Sequence, residues 1–544
     1  VRIPSGDRPS LLEALSAVED APSPDPSPPD ADPPLRRPAD PSPLEAKART
    51  WLSDVLKSAK GLPRRTEAER EKRAFSRKSN EEHEGQSSPE WDLTRLRAFV
   101  LGQVIPRLSQ CENELQNLLN GLNGRFVPPG PAGAPTRGRI DVLPTGRNFF
   151  AIDPRAVPTQ TSWHCGKAMA QQLIERHRQE QGEYPRKIAL VVWGTSNMRT
   201  GGDDIAQALY LWGCEPVWEE GSGRVVDFRI MPLSLLGRPR VDVLLRVSGM
   251  FRDAFGDTMR LLATVPKRLA EQDEPLELNP IRESWLRDRQ SAIEQGIAGP
   301  EAARLAALRV FSSEPGAYGT GLLPLIDAGN WESKRDLVDV FCRWGGFAFD
   351  SDGSADEQRA LFRARLSEIE VVHQNQDNRE HDILDSDDYF QFQGGLHAAV
   401  KQLGGKTPAT YHGDSSRPDQ PRVRTLDEEI VRVIHSRVLN PRWIEAMRRH
   451  GYKGAFEMAA TVDYLFGYGA TTNLIKGIHY QEVARVLLLD PEQKRFFQRH
   501  NPAALEEATE RLLEAAERGL WESPDRDTVA ALESNLLELQ GQLE

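Results

Sequence analysis

Apolar positions in the middle of the chain fall into short continuous runs, which predict buried strands. The runs cover residues 188–193, 225–231 and 241–247, and polar or glycine-containing segments flank them. An amphipathic pattern at residues 168–180 predicts a helix before the first run. This succession of a helix and strands is typical of an open α/β sheet.

Two of these strands end in polar turns that contain glycine. Residues 193–204 read Trp-Gly-Thr-Ser-Asn-Met-Arg-Thr-Gly-Gly-Asp-Asp, and residues 248–253 read Ser-Gly-Met-Phe-Arg-Asp. The carboxyl ends of parallel strands share one edge of a sheet, which is where open α/β sheets bind ligands. We therefore expect both turns to be loops that line one cleft, with an ordinary helix cap as the alternative for the first.

Proline and glycine mark further element boundaries. Asp490-Pro491 and Asn501-Pro502 each match an N-cap residue followed by proline at the first helical position, so helices are predicted after both. Residues 312–321, Ser-Ser-Glu-Pro-Gly-Ala-Tyr-Gly-Thr-Gly, are predicted to form a shaped loop. That loop lacks the lysine and the spacing of a phosphate-binding P-loop.

The chain as a whole is predicted to be a mixed α/β multidomain protein. It combines an open α/β sheet domain, with ligand loops at the strand carboxyl ends, and a C-terminal all-helical region. Ten prolines between Pro22 and Pro43 predict a disordered start. The predicted divisions are a proline-rich and charged linker at 1–90, a helical segment with a long motif loop at 91–159, an α/β core at 160–350, a polar site region at 351–424 and helices at 425–544.

Composition excludes several classes of protein. The net charge of −12 and the pI near 5.6 argue against a nucleic-acid partner. No apolar run reaches the roughly 18 residues of a membrane span, and the first residues, Val-Arg-Ile-Pro-Ser-Gly, carry no secretory pattern. The sequence does not begin with methionine, so it is expected to be a fragment of a longer protein. The four scattered cysteines predict reduced packing residues in a cytoplasmic protein.

The densest polar cluster covers residues 372–389 and holds two histidines and six carboxylates. Its centre is His381 with Asp385 and Asp387. An imidazole with nearby carboxylates can bind a divalent cation, and it can also transfer protons near neutral pH. The spacing matches neither HExxH nor an EF-hand, so a solvated acidic loop stays open as an alternative. His412, in a polar segment at 411–417, is a secondary candidate.

Several motifs, taken together, resemble the large tetrapyrrole metal-chelatase subunits. That family contains the CobN subunit of aerobic cobaltochelatase and the H subunit of magnesium chelatase. The resemblance runs from about residue 95 to 544, with the motifs in the family's order, and residues 195–203 and 381–388 are more similar to the cobalt branch. The motifs are Leu143-Pro-Thr-Gly-Arg-Asn148 with Asp153-Pro-Arg155, Trp193 to Thr200, Gly237 to Val243 with Ser248 to Asp253, Pro315 to Gly321, Asn375 to Asp382 with Asp385 to Tyr389, and Asn440 to Gly454.

The resemblance implies a ligase that forms nitrogen–metal bonds. Its cobalt branch inserts Co²⁺, the substrate metal, into hydrogenobyrinic acid a,c-diamide, a corrin on the aerobic route to cobalamin (vitamin B12). ATP with Mg²⁺ would be bound by separate AAA+ partner subunits of the CobS and CobT type, and the absence of a GxxxxGK[ST] motif from this sequence agrees with that division. No tightly bound cofactor is expected.

The resemblance also suggests roles for individual residues. His381, Asp385 and Asp387 would deliver the metal or accept ring protons, and Asp203, with Asp204, would face the same cavity. Guanidinium groups would pair with the carboxylate side chains of the ring. The expected substrate-binding residues are Arg147, Asn148, Trp193, Asn197, Arg199, Arg252 and Tyr318, with Phe149 and Phe251 as further apolar walls.

Three alternatives remain open at this level. The first is the H subunit of magnesium chelatase, which acts on protoporphyrin IX. The second is a non-catalytic tetrapyrrole-binding or carrier protein. The third is a structural module that binds metal but no ring.

Overall fold

This computed structural model describes residues 97–131, 133–135, 139–150 and 152–543. The chain divides into two compact units, Val1–Pro106 and Arg107–Glu544. The described part of the first unit is helical and includes a π-helical turn at Val100–Val104. The linker predicted at 1–90 lies outside the described residues.

Twelve strands are present in the described part of the second unit, eight of them in one sheet. They are Pro129–Pro131 (β1), Asn148–Phe150 (β2), Lys187–Val192 (β3), Cys214–Trp218 (β4), Val225–Ile230 (β5), Asp242–Val247 (β6), Val310–Ser312 (β7), Phe347–Phe349 (β8), Ala355–Glu357 (β9), Val371–Gln376 (β10), Ala409–Asp414 (β11) and Arg422–Thr425 (β12).

The eight-stranded sheet has the order β12-β11-β10-β3-β6-β7-β8-β9. The five central strands, β11, β10, β3, β6 and β7, are parallel. The chain runs from β3 to β6 and β7 on one side, and later forms β10 and β11 on the other. The order therefore reverses between β3 and β10, the switch point where open α/β sheets bind ligands. The predicted α/β class with a helical C-terminal region is confirmed.

Side chains of β3 are buried on both faces of the sheet. Ile188, Leu190 and Val192 belong to one hydrophobic core, whereas Ala189 and Val191 belong to the other, and all five are fully buried. Continuous apolar sequence is what a doubly covered parallel strand requires, since successive side chains point to opposite faces. The C-terminal helices pack into the core that contains Ala189 and Val191.

Helices cover both faces of the sheet and form the C-terminal region. Their bounds are Ile105–Leu108 (α1), Asn113–Leu122 (α2), Gln160–Gln181 (α3), Gly194–Thr200 (α4), Asp203–Trp212 (α5), Leu233–Leu236 (α6), Gly249–Ala254 (α7), Gly256–Ala270 (α8), Pro280–Glu294 (α9), Gly299–Ala307 (α10), Leu322–Asp327 (α11), Lys334–Gly345 (α12), Arg359–Leu366 (α13), Asp387–Tyr389 (α14), Gly395–Gly404 (α15), Leu426–Val433 (α16), Pro441–Arg449 (α17), Gly451–Thr472 (α18), Gly477–Val483 (α19), Pro491–His500 (α20), Pro502–Glu517 (α21) and Arg526–Leu543 (α22), with π-helical turns at Phe390–Gly394, Ile434–Val438 and Ala484–Leu488 and 3-10 turns at Ile140–Val142 and Pro154–Ala156.

The segment predicted as a loop after β3 is helical instead. Helix α4 begins directly at the strand end, and α5 follows after a break at Gly201 and Gly202, whose φ angles are 76° and 106°. The Thr200 hydroxyl accepts hydrogen bonds from the backbone N–H groups of Gly202 and Asp203, both at 3.1 Å. The left-handed glycines end one helix and start the next, so the glycine pair marks a break rather than a loop.

The polar cluster after residue 371 also differs from expectation. Its first residues form β10, which is buried throughout and extends the sheet, so a solvated loop is wrong for this part. His412 lies in β11 and is fully buried, because that strand is covered on both faces. His177 is also buried and lies edge-on to Tyr411.

The two N-caps predicted from the sequence are confirmed. The side chains of Asp490 and Asn501 cap α20 and α21, each followed by proline. The four cysteines, all of which the structure describes, form no disulfide bond with one another, and Cys165, Cys214 and Cys342 are buried. Among the described residues, no helix is both long enough and apolar enough for a membrane span.

Candidate functional site at the carboxyl edge of the sheet

The carboxyl ends of β3 and β10 are joined by an ion pair. Arg199, on α4, donates from Nε to Asp377 Oδ2 and from Nη2 to Asp377 Oδ1, both at 2.8 Å. Asp377 directly follows β10, and its side chain is buried, whereas 43% of the Arg199 side chain is exposed. A bidentate pair therefore bridges the switch point and leaves part of the guanidinium open to a ligand.

His381 lies next to this pair and is half-buried. Its Nδ1 is 3.1 Å from the Tyr389 hydroxyl, and its Nε2 is 3.5 Å from the Asn378 amide nitrogen. Its backbone carbonyl accepts from Gln376 Nε2. Burial, followed by the charge of Arg199, lowers the pKa of His381 below its ordinary value. The imidazole is consequently neutral at pH 7 and is able to accept a proton or a cation.

Asp385 is held from the helical region. Its Oδ1 lies 3.0 Å from Arg437 Nη1, and its Oδ2 accepts from the Asp382 backbone N–H. Arg437 also forms a bidentate pair with Asp382, at 2.6 and 2.9 Å, and lies over the Trp443 ring. Burial raises the pKa of Asp385 to about 6 in spite of Arg437. Asp385 is thus a carboxyl group that changes charge close to neutral pH.

Asp387 is held by a different element. Its Oδ2 accepts from Gln391 Nε2 at 2.5 Å, and Gln391 Oε1 accepts from the Thr320 hydroxyl at 3.1 Å. The three predicted metal ligands therefore have separate partners: Tyr389 for His381, Arg437 for Asp385 and Gln391 for Asp387. Within the described ranges, no group of three or more His, Cys, Asp or Glu side chains has an arrangement that could hold a metal ion.

Three polar side chains from the segment after β3 are buried beneath the sheet edge and are not exposed on it: Asn197, Asp203 and Asp204. Asp203 is 2% exposed and accepts from Cys165 Sγ. Asp204 is 1% exposed and accepts from Asn197 Nδ2 at 2.9 Å and from Asn375 Nδ2 at 2.8 Å. Burial, with a smaller effect of the Asp203 charge, raises the pKa of Asp204 to about 7. These side chains connect α4 and α5 to β10, which positions Arg199 and Asp377.

Arg252 is almost fully engaged within the protein. Its Nη1 donates to the backbone carbonyls of Ser313, Glu314 and Ala317, and its Nε and Nη2 donate to Asp253. The guanidinium also lies 5.5 Å from the ring of Tyr318, whose hydroxyl donates to Asp253. Arg252 therefore fixes the 312–321 loop, and the Tyr318 side chain, 58% exposed, extends from it.

Aromatic side chains differ in their access to the edge. Trp193 is half-buried and packs on Phe392, with 4.5 Å between ring centroids. Phe251 is fully buried and stacks on Phe255, so it is a core residue and not a wall of the cleft. The side chain of Phe149 lies outside the described part of the structure.

Arg147 and Asn148 line a separate open hollow of about 560 Å³. Arg147 donates to the carbonyls of Pro144 and Asp141, and the other lining residues all fall between Glu114 and Asn148. These two residues are not brought together with Arg199 and His381 at the sheet edge.

Sequence reasoning missed three residues of the site: Asp377, Tyr389 and Arg437. Asp377 carried a weak signal, because it lies in the polar cluster but the strand that it follows, β10, was not predicted. Tyr389 was detectable as the residue that closes the polar cluster. Arg437 carried no local signal, since its partners Asp382 and Asp385 are more than 50 residues away in the chain.

Comparison with known proteins agrees with this architecture. The family model described as CobN/Magnesium Chelatase matches residues 1–528, and the chain belongs to that family. A solved structure, the catalytic subunit of cobaltochelatase from Mycobacterium tuberculosis, is 47% identical with a TM-score of 0.76. The match covers 84% of this chain and 38% of that one.

Two curated relatives represent the two metal branches. The aerobic cobaltochelatase protein CobN of Pseudomonas aeruginosa is 53% identical over 80% of this chain and 35% of its own length. The H subunit of magnesium chelatase from Chlorobaculum parvum is 32% identical over 85% of this chain and 36% of its own length. The chain thus spans about a third of the length of the curated relatives that it matches.

Proposed function

We propose that this chain provides the tetrapyrrole-binding and proton-accepting part of an ATP-dependent cobaltochelatase, which inserts Co²⁺ into hydrogenobyrinic acid a,c-diamide during aerobic cobalamin synthesis. The observation that carries the proposal is the set of groups at the switch point: a partly exposed Arg199 held by Asp377, with the neutral His381 beside it. The identities of 53% and 32% to cobalt and magnesium relatives support the cobalt branch.

Binding of the ring needs cations for its carboxylates and apolar walls for its faces. The exposed part of Arg199 supplies a guanidinium, and a planar guanidinium pairs well with carboxylates. Trp193, directly after β3, and Tyr318, in the 312–321 loop, supply aromatic surface. Arg252, Asn197 and Asp203 act indirectly, by holding the elements that carry these groups.

Metal insertion also requires the ring nitrogens to lose their protons. The neutral imidazole of His381 accepts a proton, and Asp385, with a pKa of about 6, is a second acceptor within the same turn. Co²⁺ enters as a substrate and has to leave again with the product. The metal is proposed to contact His381, Asp385 and Asp387 transiently and in succession. Such a path requires no site in which all three side chains bind the metal at once.

The relatives are named as subunits, which supports a role for companion subunits. Companion AAA+ subunits of the CobS and CobT type would hydrolyse ATP with Mg²⁺ and thereby drive conformational changes of the complex during metal insertion. The remaining length of the relatives would complete the substrate cavity. The compartment is proposed to be the cytoplasm, where such ATP-dependent partners operate.

The first test is equilibrium binding of hydrogenobyrinic acid a,c-diamide and of protoporphyrin IX, followed by quenching of tryptophan fluorescence. We expect tighter binding of the corrin, and about tenfold weaker corrin binding by Arg199→Gln, the loss produced by about 1.4 kcal/mol of a charged hydrogen bond. Arg178→Gln, an exposed arginine paired with Glu175, is the matched control. Preference for the porphyrin would indicate magnesium chelatase instead.

A second test separates catalysis from binding. In reconstitution with Co²⁺, ATP and companion subunits, His381→Gln is expected to slow insertion at least tenfold while leaving corrin affinity nearly unchanged, because general-base catalysis contributes about 10²–10⁴-fold. Ring binding without any insertion by the wild type would indicate a carrier protein. Binding of Co²⁺ without the ring would indicate a structural metal module.

A further inference from the structure

The hydrogen-bonding roles at His381 can be assigned from its neighbours. The Asn378 side chain contacts Nε2, and the Tyr389 hydroxyl contacts Nδ1. A neutral imidazole carries its hydrogen on only one of these nitrogens, and the partner of the other nitrogen decides which.

The orientation of the Asn378 amide is fixed at both ends. Its Oδ1 accepts from the backbone N–H of Glu380 at 3.0 Å, and its Nδ2 donates to Asp377 Oδ1 at 3.1 Å. A flip of the amide would break both bonds, so the group that faces His381 Nε2 at 3.5 Å is the NH₂ group. An amide nitrogen only donates, and Nε2 is therefore left with the role of acceptor.

The Tyr389 hydroxyl is able to adapt to this assignment. It is held in a side chain that is 6% exposed, and a phenol oxygen both donates and accepts. With Nε2 unprotonated, Nδ1 carries the hydrogen and donates it to Tyr389 Oη across 3.1 Å. The opposite tautomer would set an Nε2–H group against the N–H of Asn378.

We propose that Asn378 is a positioning residue that holds neutral His381 in its Nδ1–H form, with the lone pair of Nε2 directed to the Asn378 and Asp377 side of the sheet edge. The Tyr389 hydroxyl accepts the Nδ1 hydrogen in that form. This inference deepens the proposed function, on which its catalytic meaning rests. The lone pair at Nε2 is what His381 needs in order to take a ring proton or contact Co²⁺.

The test measures the tautomer of His381 directly and requires no tetrapyrrole, cobalt or partner subunits. The whole chain is labelled with ¹⁵N in the histidine rings, and the His381 signals are identified by their loss in His381→Gln. At a pH where the ring is neutral, we expect the protonated nitrogen to be Nδ1. Asn378→Ala is expected to shift the tautomer ratio about fivefold toward Nε2–H, the effect of losing one hydrogen bond of about 1 kcal/mol.

Two further variants keep the test decisive. Tyr480→Phe removes another buried tyrosine hydroxyl, which has no hydrogen-bond partner, and is expected to leave the ratio unchanged. Asn378→Asp replaces the fixed donor by an acceptor and should shift the ratio in the same direction as Asn378→Ala, which keeps the test decisive if the latter does not fold. A wild-type His381 protonated at Nε2, or an unchanged ratio in both Asn378 variants, would overturn the inference. Failure of the proposed function would instead appear as absent corrin binding with the tautomer intact.

Discussion

Arg199 and Asp377 are 178 residues apart in the chain and form a bidentate ion pair at the point where the strand order reverses. Arg199 belongs to the helix after β3, and Asp377 is the first residue after β10. The pair therefore ties together the two halves of the sheet edge. It also sets a cation next to His381, which favours the neutral imidazole.

Removal of this cation should be visible at His381. In Arg199→Gln, the positive charge that lowers the pKa of His381 is absent and no longer offsets the negative charge of Asp377, so the pKa of His381 is expected to rise. A ring-¹⁵N titration of His381 measures the change, with the exposed Arg178→Gln as the control. An unchanged pKa would mean that solvent screens the Arg199 charge.

The pair between Arg437 and Asp382 should contribute to stability. Both side chains are largely buried, at 13% and 12% exposure. Arg437→Gln leaves two carboxylates, Asp382 and Asp385, without their cation, and is expected to cost about 3 kcal/mol in the free energy of unfolding. Denaturant titration measures this cost.

The matched control for Arg437 lies in the same helical region. Arg448 pairs with Glu492, whose side chain is 69% exposed. Arg448→Gln is expected to cost less than about 1 kcal/mol, because exposed pairs contribute little. Equal costs for the two variants would contradict a special role for the Arg437 pair.

The sheet edge was predictable because strand periodicity is local. The apolar run that became β3, with a glycine-containing turn after it, located Trp193 and Arg199 at a strand end, where the structure has them. The polar cluster likewise contained His381 and Asp385. What the local pattern indicates is the position of a residue along an element, and that information was sufficient to locate this edge.

The burial of each side chain, unlike its position along a strand or helix, was not predictable from the local sequence pattern. Asn197, Asp203 and Arg199 share one polar segment, yet only Arg199 is accessible, because α4 and α5 turn the other two into the protein. The strand β10 was missed because His373 and Asn375 are polar. Both are buried in the structure, where Gln207 and Asp204, from a distant segment, form hydrogen bonds with them.

Arg252 offers a test of loop positioning. Its Nη1 donates to three carbonyls of the 312–321 loop while its Nε and Nη2 donate to Asp253, a fork that the single ammonium group of lysine does not reproduce. Arg252→Lys is expected to speed amide hydrogen exchange in residues 313–319 by about tenfold or more, the effect of losing hydrogen bonds worth about 1.4 kcal/mol. Arg260→Lys, an exposed arginine paired with Asp257, should leave the exchange unchanged. Equal exchange in both variants would show that the loop holds its shape without the guanidinium.

Asp204 should make stability depend on pH. Its pKa is raised by burial from 3.8 to about 7, so the native state holds a proton that the unfolded chain has lost between those values. Its contribution to stability is therefore full below about pH 4 and is lost as the pH rises through 7, by about 4 kcal/mol at about 1.4 kcal/mol per pKa unit. Asp204→Asn has no such titration, but it turns an NH₂ group toward the amide donors of Asn197 or Asn375, at a cost of about 1–3 kcal/mol. Urea unfolding across this range should show the variant less stable at low pH and the two proteins converging or crossing toward pH 7. The exposed Asp227→Asn provides the control, and parallel curves for wild type and Asp204→Asn would exclude Asp204 as the titrating group.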